Sequence, residues 1–236
     1  MNDEIAQKSA LKTNLIAFFH QYRHGLILLY LLIYFPWFGW LEKNVTKHFH
    51  IIHMAVDDMI PFVEYFIIPY LLWFAYVAVA VLYFFFKNKN EYYRLCTFLF
   101  IGMTVFLIIS TVYPNGHYLR PVSFARENIC TDLVRRLYET DTPTNLFPSI
   151  HVYNSIGVNI AIWHSEDFKK HKCIKYGSAV LMISIILSTM FLKQHSVFDV
   201  ITGIVFSVFM YTLVYAKGTL RIGASKPSLE ERIRRV

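Results

Sequence analysis

The sequence predicts an all-α, polytopic membrane protein built as a bundle of six transmembrane helices. Its 236 residues are 56% hydrophobic and 17% aromatic, and only 17% are charged. A soluble domain carries about 25% charged residues, so the composition favours a chain that is largely surrounded by lipid. One integral-membrane domain over residues 1–236 is expected, with a short cytoplasmic segment, 1–23, and a basic cytoplasmic tail, 217–236.

Six apolar stretches account for the expected spans, because a spanning helix needs roughly 17–25 mostly apolar residues. They lie at about 24–41, 66–86, 95–113, 147–163, 174–192 and 197–216. Between the third and fourth stretches, Ile129, Leu133 and Leu137 recur at four-residue spacing in "FARENICTDLVRRLYETD". This spacing predicts a short amphipathic helix, which either lies on the membrane surface or packs against the bundle.

The distribution of Lys and Arg predicts the orientation. Most of these residues fall at the two ends of the chain and in the loops after the second and fourth spans. The positive-inside rule places those segments in the cytoplasm, so the loops near 42–65, 114–146 and 193–196 face outward. The net charge of +7 is explained in this way without a nucleic-acid partner. The compact size and the lack of an organelle signal favour a bacterial inner membrane.

The three cysteines indicate neither a disulfide framework nor a zinc site. Cys96, Cys130 and Cys173 are isolated in the sequence, and no CxxC pair occurs. Likewise, the predicted outer face carries no carboxylate cluster of the kind that magnesium prefers. No metal and no other cofactor is therefore expected.

Polar side chains gather at the outward ends of three predicted spans. They are Arg120 after the third span, Ser149 and His151 at the start of the fourth, and Lys193, His195 and Asp199 at the turn from the fifth into the sixth. Each of them alone has an ordinary explanation as a helix cap or an interfacial residue. Because all of them lie on one face of the membrane, they also form a candidate phosphate site.

The chemistry of these residues suits a phosphoryl group. Ser149 after Pro148 is a typical helix N-cap, and the N-terminus of a helix attracts anions through its unpaired N–H groups and its dipole. Arg120 offers a planar fork of donors and Lys193 offers a compact positive charge. His195 and Asp199, four residues apart, share one face of a helix.

A carboxylate beside an imidazole fixes the tautomer and leaves the second ring nitrogen free to attack. Asp199 is followed by "VITGIVFSVFMYTLVY", and exposing an aspartate to lipid would cost about 2.5–3.5 kcal/mol. This cost favours a functional role for Asp199.

At these residues the sequence resembles the type-2 phosphatidic acid phosphatase superfamily, which also includes the vanadium haloperoxidases. The motifs of that family are Lys-x6-Arg-Pro, Pro-Ser-Gly-His and Ser-Arg-x5-His-x3-Asp, in that order. This chain has Arg120-Pro121, then Pro148-Ser149-Ile150-His151, then His195-x3-Asp199. The motifs run from the third predicted span to the start of the sixth.

Three positions depart from the motifs. Tyr113 stands where the first motif has its lysine, Ile150 replaces the glycine of the second, and Ser188-Thr189 replaces the Ser-Arg pair of the third. Lys193 is a candidate for the missing positive charge. The stretches "PSIH" and "STMFLKQHSVFDVITG" are more similar to the inositol phosphorylceramide synthase branch than to the phosphatidate phosphatase branch, so both water and an alcohol remain open as acceptor.

The resemblance implies a metal-independent enzyme that acts on a lipid phosphate in the bilayer through a phosphohistidine. It implies that His195 is the nucleophile, that Asp199 orients it, and that His151 is the general acid and base. The phosphate-binding groups would be Arg120, Ser149, the amide of Ile150, and Lys193.

Three functional hypotheses follow, of which the first is a phosphatase for lipid phosphomonoesters or diphosphates. The second is a phosphotransferase that passes a lipid headgroup to an alcohol. The third is a transporter, which would place its ionisable residues near the midplane and often contains internal repeats. Here the ionisable residues cluster at one surface and no repeat is visible, which favours the two enzymes.

Overall fold

The computed structural model describes residues 21–216, in which eight helices dominate. The predicted cytoplasmic tail and nearly all of the N-terminal segment lie outside the described residues. The helices are α1 (Arg23–Asn44), α2 (Ala55–Met59), α3 (Glu64–Lys87), α4 (Lys89–Val112), α5 (Ile129–Thr140), α6 (Ile150–His164), α7 (Lys172–Phe191) and α8 (Val197–Ala216). The first turns of α1 and α3 are 3₁₀-helical, and the last turn of α8 is a π-helix.

Five of these helices are long and apolar enough to cross a membrane: α1, α3, α4, α7 and α8. Many of their large apolar side chains, including Phe86 and Val205, are exposed on the outside of the bundle. Such continuous apolar surface is what lipid would cover. The chain is therefore an all-α integral membrane protein.

The fourth predicted span, 147–163, corresponds to α6, which is only 15 residues long. It begins at Ile150, after Pro148 and the N-cap Ser149, and would extend about 22 Å, against about 30 Å for the hydrocarbon core of a bilayer. The count of six spans thus remains a prediction. The short helix is nonetheless central, because it packs against α3, α4, α7 and α8.

The contact between α4 and α6 is unusually close. A Cβ atom at Gly102 would overlap the ring of Tyr153, and one at Gly157 would lie 2.5 Å from the ring of Phe98. The two rings stack with their centroids 4.6 Å apart, and the Tyr153 hydroxyl donates a 2.8 Å hydrogen bond to the Phe98 carbonyl. These two glycines therefore let the central helix reach the middle of the bundle.

The amphipathic helix predicted between the third and fourth spans is α5. Asn128 caps it by accepting hydrogen bonds from the amides of Cys130 and Thr131. Leu133 and Leu137 pack on a buried cluster that contains Tyr70 of α3, whereas Ile129 is 79% exposed. Of the two arrangements that the spacing left open, the structure has the helix packed against the bundle.

Two short strands and a polar network hold the chain between α4 and α6 at the end of the bundle where α4 ends and α6 begins. Strand β1 (His50–Ile51) pairs in parallel with β2 (Asn115–Gly116), and Gly116 also bridges to Thr144. Glu42, near the end of α1, accepts hydrogen bonds from the Thr142 amide and hydroxyl and from the Asn145 side chain. This network fixes the segment that leads into α6.

Candidate active site

The three polar clusters predicted from the sequence meet at one end of the bundle. The rings of His151 and His195 lie 5.7 Å apart between centroids. The Ser149 amide donates a 3.3 Å hydrogen bond to the Asp199 carbonyl. Arg120 reaches the same group through Gln194, the residue before His195. The α6 N-terminus, the α7–α8 turn and the 117–121 loop therefore build a single site.

The start of α6 is shaped by local caps and by one distant side chain. Ser149 is fully buried and its hydroxyl accepts a hydrogen bond from the Val152 amide at 3.4 Å. The side-chain oxygen of Asn115 accepts hydrogen bonds from the amides of Leu146 and Phe147, which fixes the chain just before the cap. In the first turn of a helix the N–H groups have no carbonyl partner within that helix, so the amide of Ile150 is available to an anion.

His195 and Asp199 form a buried pair at the start of α8. His195 Nδ1 lies 3.5 Å from Asp199 Oδ2, a contact that is longer than a typical hydrogen bond. Asp199 Oδ2 also accepts a 3.0 Å hydrogen bond from the Ser196 amide, as in a capping box. Burial, together with the positive charge of Arg120, lowers the pKa of His195 to about 3. The imidazole is thus neutral at ordinary pH.

His151 is held against His195 by aromatic side chains of α3. Its ring stacks on Tyr70, with centroids 4.7 Å apart, and contacts Trp73 at 4.3 Å. These rings restrict the rotation of the imidazole, because a flat side chain packed on two sides has few alternative rotamers. The structure therefore presents both histidines to the same space in a defined orientation.

Arg120 is a partly buried cation with three types of contact. Its guanidinium lies 4.5 Å from the centre of the Tyr138 ring. Nη1 donates to the Asp141 carbonyl at 2.7 Å, and Nη2 donates to Gln194 Oε1 at 2.7 Å. Nε is buried and has no hydrogen-bond partner among residues 21–216. Burial lowers the pKa of Arg120 from its usual value, and the nearby Asp141 opposes this shift.

Lys193 points away from the other predicted residues. It adopts a positive φ of 53°, and its ammonium donates a 2.7 Å hydrogen bond to the Asp57 carbonyl in α2. The same α2 residue uses its carboxylate to accept hydrogen bonds from the Ser196 hydroxyl and the Val197 amide. In this conformation Lys193 helps to fix the α7–α8 turn, and its phosphate-binding role stays a prediction.

The position of the missing second arginine is neutral. Thr189 and Ser188 are fully buried, and their hydroxyls donate to the helix carbonyls of Ile186 and Ile185. The Thr189 carbonyl accepts hydrogen bonds from the amides of Gln194 and His195. Thr189 therefore shapes the turn that carries His195 but contributes no charge to the site.

Three residues near the site were not predicted from the sequence: Asp57, His117 and Gln194. His117 is buried; its Nδ1 accepts from the Leu119 amide, so Nε2 carries the proton and donates to the Gln194 carbonyl at 2.9 Å. Burial lowers the pKa of His117 to about 4. Gln194 lies between two predicted site residues, Lys193 and His195, and its position beside His195 was the only available signal.

No group of three or more His, Cys, Asp or Glu side chains between residues 21 and 216 is arranged to hold a metal ion. An open cavity of about 490 Å³ lies beside the site, between the 121–124 loop and α5. Tyr138, whose ring contacts Arg120, is part of its wall, together with the charged side chains of Glu127, Arg135 and Glu139.

Comparison with known families identifies the segment that carries the site. Residues 119–222 match the model of the PAP2 superfamily. This segment is therefore a domain of the type-2 phosphatidic acid phosphatase superfamily. The matched segment contains all seven predicted site residues, from Arg120 to Asp199. No curated protein and no solved structure matches the chain. Members of the superfamily are phosphatases or related phosphotransferases, so the protein is an enzyme of that general kind.

Proposed function

We propose that this PAP2 superfamily protein is a metal-independent lipid phosphatase that hydrolyses a phosphomonoester or diphosphate through a phosphohistidine. The observation that carries the proposal is the edge-to-face pair of His151 and His195, 5.7 Å apart between ring centroids, with Asp199 Oδ2 3.5 Å from His195 Nδ1. Two imidazoles can divide the work of nucleophile and proton carrier. The site lies at the outer face of a bacterial inner membrane in this proposal.

In the first half-reaction, the nitrogen of His195 that is remote from Asp199 attacks phosphorus. A P–N bond forms, the P–O bond to the lipid breaks, and protonated His151 gives a proton to the leaving oxygen and becomes neutral. Asp199 orients the imidazole and stabilises the positive charge that develops on it. Neutrality of His195, which burial and Arg120 favour, keeps its lone pair available for this step.

In the second half-reaction, His151 removes a proton from water, the oxygen of which attacks the phosphohistidine. The P–N bond breaks, inorganic phosphate leaves, and His195 is neutral again. Arg120 and the first amides of α6 hold the phosphoryl oxygens in both steps, since phosphoryl transfer depends mainly on positioning and charge stabilisation. Lys193 would bind a phosphoryl oxygen only after its hydrogen bond to the Asp57 carbonyl is broken.

The direct test is release of inorganic phosphate by the purified protein from a panel of lipid phosphates and diphosphates, with EDTA present. Wild type should release phosphate and His195→Ala should not. His48→Ala, which changes an exposed histidine outside the site, is the matched control and should keep full activity. Release by His195→Ala at the wild-type rate would reject the proposal.

The second candidate is transfer of a phosphoryl headgroup to an alcohol. It is favoured by Ile150 and by the neutral Ser188-Thr189 pair, two departures that bring the sequence nearer to the inositol phosphorylceramide synthase branch. Thin-layer separation after incubation with a labelled donor lipid and an alcohol distinguishes the two. A new labelled lipid indicates transfer, whereas free phosphate alone indicates hydrolysis.

A further inference from the structure

Gln194 is held in the site by hydrogen bonds of both its side chain and its backbone. Its side chain is 1% exposed, and its Oε1 accepts a 2.7 Å hydrogen bond from Arg120 Nη2. Its backbone is also fixed, because its amide donates to the Thr189 carbonyl and its carbonyl accepts from His117. The side chain of this direct neighbour of His195 in sequence is therefore held against Arg120 and is buried away from solvent.

The contact with Arg120 determines which way the amide of Gln194 faces. A guanidinium has only donors, so the oxygen must face Arg120 and the NH₂ group must face elsewhere. That nitrogen, Nε2, is buried and has no hydrogen-bond partner within residues 21–216, and the same holds for Arg120 Nε. Two buried donors on linked side chains call for an acceptor, because buried polar groups in folded proteins are almost always paired.

A phosphoryl group supplies oxygen acceptors of the required kind. The site also lacks the donor of a second arginine, since Thr189 stands at that position and its hydroxyl donates to the helix carbonyl of Ile186. We propose that Gln194 is a phosphate-binding residue of this site, with Oε1 holding Arg120 in place and Nε2 donating to a phosphoryl oxygen. This inference rests on the proposed function and extends it by one residue.

Gln194→Glu separates this role from a purely structural one. The carboxylate has the same shape and accepts from Arg120 at least as well, so a residue that only holds Arg120 would tolerate the change. A phosphate-binding amide would not, because the donor is replaced by a negative charge. We expect kcat/KM for the lipid phosphate to fall about 100-fold, as for the loss of one oxyanion donor, while the unfolding temperature does not fall.

Gln194→Met provides a second variant of similar size that removes both ends of the amide without adding charge. It should also lose kcat/KM, and by less than the Glu variant. Gln21→Glu makes the same chemical change near the first turn of α1, at the opposite end of the bundle, and should behave as wild type. Wild-type kcat/KM in both Gln194 variants would overturn the inference.

Orthovanadate, a phosphate analogue, tests Gln194 without any lipid. The unfolding temperature of the wild type in detergent should rise with orthovanadate, and that of Gln194→Glu should rise much less. Equal shifts in the two proteins, or no shift in wild type, would contradict phosphate binding by Gln194. If wild type releases no phosphate from any lipid yet binds orthovanadate through Gln194, the proposed function fails and the inference stands.

Discussion

At the scale of single residues, the proposed chemistry depends most on the relation between Asp199 and His195. Asp199 is fully buried, and one of its carboxylate oxygens contacts both the imidazole and the Ser196 amide. Its position is therefore set by the cap of α8, and the imidazole is set in turn by the carboxylate. This arrangement supports the proposed orienting role of Asp199, which a neutral amide would not reproduce.

Asp199→Asn should lower kcat by at least about 100-fold, because the amide holds the wrong tautomer of a catalytic histidine. The protein should remain folded, since the amide oxygen can still accept from Ser196. Phosphate release and circular dichroism on the same preparation check both statements. Asp58→Asn, at an exposed aspartate paired with His53, is the control. Unchanged kcat in Asp199→Asn would contradict the orienting role.

The lowered pKa values of the two buried histidines, His117 and His195, predict how the stability of the protein depends on pH. The pKa of His117 is lowered to about 4 and that of His195 to about 3, whereas an unfolded histidine titrates near 6.5. Between about pH 6.5 and 4 these histidines bind protons in the unfolded chain but not in the folded protein, so their contribution to stability falls as pH falls. Each histidine contributes up to about 1.4 kcal/mol per pH unit in this window.

His117→Gln should remove one of these contributions, because glutamine does not titrate and its amide can still donate to the Gln194 carbonyl. Unfolding temperatures measured in detergent from pH 7 to 4 should therefore fall less steeply in this variant than in wild type. His48→Gln, at an exposed histidine, should keep the wild-type slope. A His117→Gln slope equal to that of wild type would show that His117 is not held neutral.

The sequence predicted that the residues carrying a motif would lie together, but it did not predict the neighbours that carry no motif. Arg120, His151 and His195 have recognisable neighbours and spacing, and the structure brings them together at one site. Gln194 and His117 have no such neighbours. Their positions depend on side-chain hydrogen bonds between the 117–121 loop and the α7–α8 turn, which no local sequence pattern records.

At the scale of elements, hydropathy located the helices but not the length of α6. The predicted span 147–163 is a helix only from Ile150. The residues before it are held at the site end of the bundle by hydrogen bonds to Asn115 and Glu42, which are about 30 and 100 residues away in sequence. Contacts between residues so far apart in sequence cannot be predicted from the hydrophobic periodicity of the segment itself.

The close contact between α4 and α6 at Gly102 predicts that a larger side chain there destabilises the protein. Gly102→Ala would place a Cβ against the Tyr153 ring, which cannot move easily because it stacks on Phe98 and on Phe206. We expect a loss of about 1–3 kcal/mol, typical of overpacking, and a lower unfolding temperature in detergent.

Gly177→Ala is the matched control for this change. Gly177 also lies inside a helix, but nothing is within 4 Å of the position that its Cβ would take. Alanine is favoured over glycine in a helix by roughly 0.5–1 kcal/mol, so this variant should equal or exceed wild type in stability. If Gly102→Ala is as stable as Gly177→Ala, the result contradicts a close approach of α4 and α6 at this position.

At the scale of the whole molecule, the predicted orientation places the site on the outer face of the membrane. Two exposed positions at opposite ends of the bundle report on it: Ser123, in the loop after Arg120, and Cys173, at the start of α7. The first variant combines Ser123→Cys with Cys130→Ser and Cys173→Ser, so its exposed thiol is at position 123. The second variant carries only Cys130→Ser, so its exposed thiol is Cys173. Cys96 is present in both variants and is buried.

A membrane-impermeant maleimide applied to intact cells should label the first protein and not the second. After permeabilisation it should label both, because Cys173 would lie on the cytoplasmic side with the basic loop 169–175. The reverse pattern would place the histidines at the cytoplasmic face. The substrates would then be lipids of the inner leaflet.

The central claim is that His195 carries the phosphoryl group during turnover. Rapid quenching after mixing with a lipid whose phosphate is radiolabelled measures this directly. Wild type should acquire label that is stable to alkali and released by acid, as expected of a phosphohistidine, and His195→Ala should acquire none. Label of the same stability on His195→Ala would contradict the assignment of the nucleophile.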